Sequence, residues 1–174
     1  MNTRLPRLGL LSVLPLAVPL AVCEVAEALR PDISCQVKWP NDIHLDGRKL
    51  AGILIEARPQ DGWAVIGVGL NLTIADDEFP EELRGRATSL LPASANPSEA
   101  SAALSAALSK WVDATADQIL PEWRRRDALR GRDVTWENGS GVAEGIDERG
   151  YLLVRLADGD SVALGAGDVH LTSF

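Results

Sequence analysis

Two Asp-Gly dipeptides, Asp46-Gly47 and Asp61-Gly62, separate runs of apolar and β-branched residues, and they restrict the fold of this chain more than any other feature. Asp-Gly accommodates the positive φ angles that two-residue hairpin turns demand. Ile43 to Leu45, Leu50 to Glu56 and Trp63 to Leu70 are therefore predicted as three consecutive antiparallel strands. Gly52, Gly67 and Gly69 interrupt these strands. A glycine inside a strand often marks close approach of a ligand or of another backbone.

Helical signals flank this meander. Apolar residues at helical spacing from Leu16 to Leu29 predict a buried helix, entered through Pro15 and Pro19 and ended by Arg30-Pro31. The preceding Arg4 and Arg7, the apolar run Leu8 to Val22 and then Cys23 imitate a lipoprotein signal. The imitation is imperfect: Val22 stands where a small residue is expected, and the apolar spacing continues through Val25, Ala26 and Leu29. Asn96-Pro97-Ser98-Glu99 combines an N-cap, a first-position proline and an early glutamate. It predicts a helix running through Leu104, Leu108, Trp111, Val112, Thr115 and Ile119, ended or kinked at Pro121 and followed by a linker-like step, Arg124-Arg125-Arg126. From Leu129 short apolar runs alternate with glycine turns, with strands centred on Val134, Val142 to Ile146, Tyr151 to Leu156, Val162 to Leu164 and Val169 to Leu171, the number and spacing of a small five-stranded barrel. The chain reads as α+β, with a main unit over residues 1–126 and an all-β unit over 127–174.

Charge narrows the partners. The formal net charge is −8, and between Asp133 and Phe174 eight acidic side chains outnumber two arginines. Such a surface does not favour a phosphate backbone, so no nucleic-acid partner is expected. Cys23 and Cys35 lack the close spacing of a metal or redox motif and are expected to be reduced and structural.

The polar residues that could carry chemistry gather between Lys38 and Asn71. Asn41 and Asp42 follow Pro40, whose fixed φ lets their side chains be aimed from a rigid turn. Lys49 comes just after the Asp46-Gly47 turn, where it can reach across neighbouring strands. Singly, each has a plainer reading: a solvated lysine, a turn aspartate, bulge glycines.

The whole string is more specific. Lys38-Trp39-Pro40-Asn41-Asp42, then Arg48-Lys49-Leu50-Ala51-Gly52-Ile53-Leu54-Ile55-Glu56, then Gly67-Val68-Gly69-Leu70-Asn71 resembles the signature of the biotin protein ligase family. Glu82 to Leu90 is similar to that family's connecting segment, and the C-terminal β unit to its small SH3-like domain. The resemblance implies a partial class II synthetase-like mixed sheet with helices, followed by a small SH3-like β-barrel. It implies ATP-dependent formation of biotinyl-5′-AMP and transfer of biotin to a lysine of a biotin carboxyl carrier protein or domain. Activating a carboxylate with ATP brings two anions together and needs a cation at the reacting centre. Lys49 matches the family's essential lysine and is the catalytic candidate. Asn41, Asp42 and Asn71 match nucleotide- and metal-site positions, with Asp42 on Mg²⁺. Gly52 and Ile53 match backbone beside biotin, Gly69 belongs to the glycine set of the same strands, and Lys38 supplies positive potential. Trp39 and Pro40 are expected to shape the turn. The implied setting is cytoplasmic, with biotin and ATP as substrates and no membrane partner, while homodimer formation stays open.

Departures from the family pattern set further expectations. The family places a Ser-Thr-Asn segment and a glycine- and arginine-rich lid upstream of the first helix, and this sequence holds neither; Met1 to Arg7 corresponds at best to the strand after that lid. A truncated chain of this kind is expected to be an impaired ligase, with a non-catalytic remnant binding biotin, nucleotide or carrier protein as the alternative. Thr172 stands where some members carry an arginine directed at the nucleotide.

Overall fold

The computed structural model describes residues 13–90, 96–165, 167 and 169–172. Arg4, Arg7, the start of the apolar run at Leu8 and the strand expected over Met1 to Arg7 lie outside the described residues. The architecture is mixed α+β with two antiparallel sheets. Helix α1, Leu14–Leu29, is followed by the first sheet: β1 Gln36–Lys38, β2 Asp42–Leu45, β3 Arg48–Arg58 and β4 Trp63–Leu70, in spatial order 1-2-3-4. Helices α2, Pro97–Val112, and α3, Ala116–Arg125, lead to the second sheet. It comprises β5 Asp133–Trp136, β6 Gly139–Ile146, β7 Leu152–Arg155, β8 Ser161–Leu164 and β9 His170–Leu171, in order 8-7-6-5-9.

Both Asp-Gly dipeptides lie in turns, but only Asp46-Gly47 forms a two-residue hairpin turn. Asp46 and Gly47 each adopt positive φ, 51° and 76°, and β2 and β3 pair antiparallel around them. The second connection, Pro59–Asp61 and Gly62, inserts a short 3-10 turn that Gly62 closes at φ 68°, and β3 and β4 then pair without interruption from Arg58↔Trp63 to Ala51↔Leu70.

Helix α1 is apolar on nearly every side, and such a helix is stable only inside a core. It packs against α2, α3, β2 and β3, with Leu14, Val18, Leu20, Val22 and Cys23 at most 1% exposed. Pro15 sits in the first turn as expected, but Pro19 lies inside the helix instead of at its entrance. No helix among the described residues is long and apolar enough to cross a membrane.

The region after Asn96 departs from expectation. Asn96 does cap α2, its side chain accepting the Ser98 N–H at 2.9 Å, but α2 ends at Val112 and a second helix starts at Ala116. Thr115, read as a helix-interior position, is the N-cap of α3, and its backbone N–H donates to Gln118 Oε1 at 2.9 Å. Pro121 neither ends nor starts a helix; it lies within α3. An interior proline costs about 3 kcal/mol, whereas burying a large apolar side chain stabilises by about 1.5–3 kcal/mol. Ile119, Leu120 and Trp123 are all buried, so packing outweighs the proline.

The arginine triplet is no linker either. Arg124 and Arg125 close α3, and Arg126 is its buried C-cap. The Arg126 guanidinium donates to Glu27 of α1, to Glu122 Oε1 at 2.9 Å and to the Cys35 carbonyl at 3.1 Å, tying α1, α3 and the approach to β1 together. Burial pushes the Glu27 carboxyl up, but the hydrogen bonds from Arg126 and the Cys35 N–H, with the charges of Arg126 and Arg125, together outweigh it and hold the group below its usual range. Hydrogen bonding from Arg125, and then from Arg126, lowers Glu122 to about 2.

The two sheets share one core. Leu16, Trp39 and Ile43 belong to the same buried cluster as Val134, Ala143 and Leu152. Trp39 Nε1 donates to the Gly150 carbonyl at 2.9 Å, so this tryptophan fastens the first sheet to the second. Residues 126–128 hydrogen-bond to Val37 on the outer edge of β1, Val37 N–H donating to Arg126 O and Ala128 N–H to Val37 O. Cys23 and Cys35 are both free thiols buried in this core.

Candidate active site

Cross-strand pairing builds the site in one row. Lys38 of β1 pairs with Asp42 of β2, Asp42 with Gly52 of β3, and Gly52 with Gly69 of β4. Directly opposed residues share a face of the sheet, so the row reads two charges followed by a bare glycine floor. A Cβ on Gly69 would meet only the Gly52 carbonyl, at 3.9 Å.

A β-bulge delivers Lys49 to that floor. Ile43 pairs with Ala51 but His44 with Lys49, leaving Leu50 as an extra residue on β3. Strict alternation would turn Lys49 to the face of Ala51 and Ile53, which are buried. The bulge re-aims it. A Cβ added to Gly52 would lie 3.4 Å from both Cε and Nζ of Lys49, and Lys49 Nζ is 2.6 Å from Asp42 Oδ1. The Lys49 backbone is pinned as well, its N–H donating to Arg86 O at 2.8 Å while its carbonyl accepts the Thr88 N–H at 2.9 Å.

Above this floor lies a cavity of about 840 Å³. Lys38, Asp42, Lys49, Gly52, Gly69 and Asn71 line it, all expected from sequence. Asn41 and Ile53 do not. Asn41 donates its side-chain amide to the Ile53 carbonyl at 2.8 Å and accepts the Ile53 N–H on its own carbonyl at 2.9 Å, which clamps the turn to β3 from behind the site. Ile53 is 4% exposed and points into the core. Asn71 has a bracing role too, since its amide donates to the Thr88 carbonyl at 2.9 Å. Thr172 does not line the cavity; its N–H donates to Asp133 O at 3.1 Å.

Further lining residues come from places that sequence spacing does not connect. Phe79, Leu83 and Arg86 belong to the segment after β4, which the Lys49–Ala87 bridge brings alongside the row. His170 and Leu171 of β9 add a wall from the second sheet. His44, beside Lys49 in the register, is nearly buried. Burial pushes its imidazole below the ordinary value, and the charge of Lys38 pushes it further in the same direction. Lys38, Arg48, Lys49 and Arg86 face the cavity against the carboxylates of Asp42 and Asp46, which concentrates positive charge in a chain whose net charge is −8. The cavity is therefore suited to an anion.

Among the described residues no three His, Cys, Asp or Glu side chains gather as a metal cage. A Mg²⁺ ion carried on phosphates needs only one or two protein carboxylates. Asp42, facing the cavity with Asn71 on the same wall, meets that lesser demand.

Sequence and structure comparison shows what a chain with this cation-lined cavity on the glycine floor of an antiparallel sheet is similar to. Residues 5–72 match the Biotin/lipoate A/B protein ligase family, and residues 131–171 match the Biotin protein ligase C terminal domain. The chain is 38% identical to a biotin–[acetyl-CoA-carboxylase] ligase of Mycobacterium tuberculosis, over 91% of this chain and 62% of that protein. It is 33% identical to the bifunctional ligase/repressor BirA of Escherichia coli, over 92% of this chain and 53% of that protein. The fold matches the apo structure of the biotin protein ligase from Aquifex aeolicus with a TM-score of 0.78 and 25% identity, over 94% of this chain and 76% of that one. The chain belongs to the biotin protein ligase family of enzymes. It spans 62% and 53% of the lengths of the two curated relatives just named.

Proposed function

We propose that this chain performs the family's ligation in impaired form: it joins biotin to ATP as biotinyl-5′-AMP and passes the biotinyl group to a lysine of a biotin carboxyl carrier protein or domain. The observation that carries this reading is the placement of Lys49 Nζ over Gly52, 2.6 Å from Asp42, inside a cationic cavity. Support also comes from the name and similarity of the Mycobacterium tuberculosis relative.

In this reading residues 1–126 form a partial catalytic domain of the class II synthetase-like type and residues 127–174 an SH3-like domain. Lys38, Asn41, Asp42, Lys49, Gly52, Ile53, Gly69 and Asn71 serve biotin and ATP, Asn41 and Ile53 acting through the backbone that they hold. A carboxylate oxygen of biotin attacks the α-phosphorus, and the bond to the β-phosphate oxygen breaks, pyrophosphate leaving with the electron pair. Lys49 holds the two negatively charged reactants together, and such preorganised charge is worth most where water is excluded. Asp42 orients the Lys49 ammonium and is the carboxylate offered to Mg²⁺. When bound, that ion would neutralise phosphate charge. In the second step the carrier amine attacks the carbonyl carbon, the bond to the phosphate oxygen breaks, and AMP departs. The protein acts in the cytoplasm on soluble partners.

Intact-mass measurement of a carrier domain incubated with biotin, ATP and this chain tests the proposal. One added biotinyl group is expected, appearing only with ATP present. An unchanged carrier mass beside measurable biotin or nucleotide binding would replace the ligase reading with a binding one.

A further inference from the structure

We propose that Cys23 and Cys35 form a redox-active pair, which a peroxide converts reversibly into a disulfide joining α1 to the start of β1. Neither residue takes part in the ligation, so the pair stands apart from that reading. The fold brings the chain's two cysteines together. Cys23 lies on α1 one turn before Glu27, and side chains at that spacing share a face of the helix. Glu27 Oε1 accepts the Cys35 N–H at 2.8 Å, which sets Cys35 against the same face. Arg126 completes the clamp, donating to the Cys35 carbonyl at 3.1 Å and to Glu27 Oε2 at 2.8 Å. Both backbone groups of Cys35 are therefore fixed, and its thiol is hydrogen-bonded to that of Cys23. Cys23 is 0% and Cys35 1% exposed, in one core cluster.

The two thiols are unequal. The hydrogen bond from Cys23, helped by the charge of Arg126, holds the Cys35 thiol below its ordinary value against burial and the charge of Glu27. The same hydrogen bond, together with burial, raises Cys23 well above its own. Thiolate is the nucleophilic form, so Cys35 attacks first. Its sulfur bonds to one peroxide oxygen, the O–O bond breaks, and the departing hydroxide takes up the proton that Cys35 released, leaving a sulfenic acid. The Cys23 sulfur then attacks the Cys35 sulfur, the S–O bond breaks, and hydroxide leaves with the Cys23 proton as water. One peroxide is reduced to two waters while two thiols are oxidised to one disulfide. A buried thiol is ordinarily inert. Here the resolving sulfur is already in place, and a small neutral oxidant is all that has to enter. The bond ties α1 to the strand that carries Lys38.

The test treats the full chain with hydrogen peroxide, removes the excess, unfolds the protein in the presence of iodoacetamide and measures its intact mass. Untreated chain is expected to gain two alkyl groups. Treated chain should stay monomeric, weigh two hydrogens less and gain none, and dithiothreitol should restore both sites. Sub-denaturing urea should leave the oxidation rate unchanged. Cys23→Ser should stop at a sulfenic acid that dimedone traps, and Cys35→Ser should react about tenfold more slowly, having lost the more acidic thiol. Two alkylated thiols after peroxide, a disulfide-linked dimer, or a rate that climbs with sub-denaturing urea because reaction runs through the unfolded chain would each overturn the pair. The measurements on the unaltered chain decide the matter even where a serine variant fails to fold.

Discussion

Lys49 and Asp42 form an ion pair at 2.6 Å across two strands, although by strand register Asp42 faces Gly52 and Lys49 faces His44. The one-residue bulge at Leu50 makes this possible, because it lets Leu50 and Ala51 stay buried while Lys49 emerges on the cavity side. The placement of Lys49 in the cavity thus depends on a backbone irregularity.

Lys49→Ala is expected to depress adenylate formation by about two orders of magnitude, since a single preorganised charge at such a centre is worth about 3 kcal/mol. Lys49→Arg should restore little of this, because guanidinium differs in shape and donor geometry. Biotin-dependent pyrophosphate release is the measurement, and near-normal release by either variant would remove Lys49 from the mechanism.

Asp42→Asn keeps the size of the side chain and removes its charge. Activity should become more dependent on added Mg²⁺, while biotin binding in the absence of nucleotide changes little. A magnesium titration of activity set beside calorimetry with biotin separates these effects. Parallel losses in both would assign Asp42 to the structure of the turn.

Much of this site was legible in the sequence because it lies within one meander. The Asp46-Gly47 turn fixes which strands adjoin, and the period-2 pattern places Gly52 and Gly69 on one face. The bulge was not legible: Lys49-Leu50-Ala51 reads as ordinary alternation until the buried faces of Leu50 and Ala51 are both known. Arg86 and His170 were invisible for another reason. Their contribution depends on the Lys49–Ala87 bridge and on how β9 meets the first sheet, both long-range contacts without local periodicity. Continuous helical spacing from Leu104 to Ile119 concealed the break at Thr115, since two consecutive helices packed on the same core can keep an apolar pattern across their junction.

Gly52 tests the floor. A Cβ there meets the mobile end of Lys49 at 3.4 Å and Asp42 Oδ1 at 3.9 Å, so Gly52→Ala should fold normally and lose modest activity. Gly52→Val adds branches in the space that Lys49 occupies and should approach the loss of Lys49→Ala, about two orders of magnitude. Thermal unfolding should change little in either variant, as valine suits a strand. A Gly52→Val protein with full activity would show that the lysine does not need this position.

Arg126→Met addresses the frame behind the site. The variant keeps an apolar stem but leaves Glu27 and Glu122 without their shared partner, and breaking a buried ion pair typically costs about 3–5 kcal/mol. The lower end applies here, because the two glutamate side chains are 25% and 28% exposed. The pH dependence gives a second signature. Glu122 is lowered from 4.5 to about 2 in the folded chain, so the unfolded state binds more protons between those values and stability falls as pH drops through that window. Glu27 shifts in the same direction. Hydrogen bonding from Arg125 is the larger cause for Glu122 and survives the substitution, whereas Glu27 depends on Arg126. The variant should therefore start less stable at neutral pH and lose less on acidification, with a shallower slope that does not vanish. Urea midpoints followed from neutral pH down through that window provide the comparison; parallel curves for the two proteins would mean that Arg126 does not set the acid sensitivity of this core.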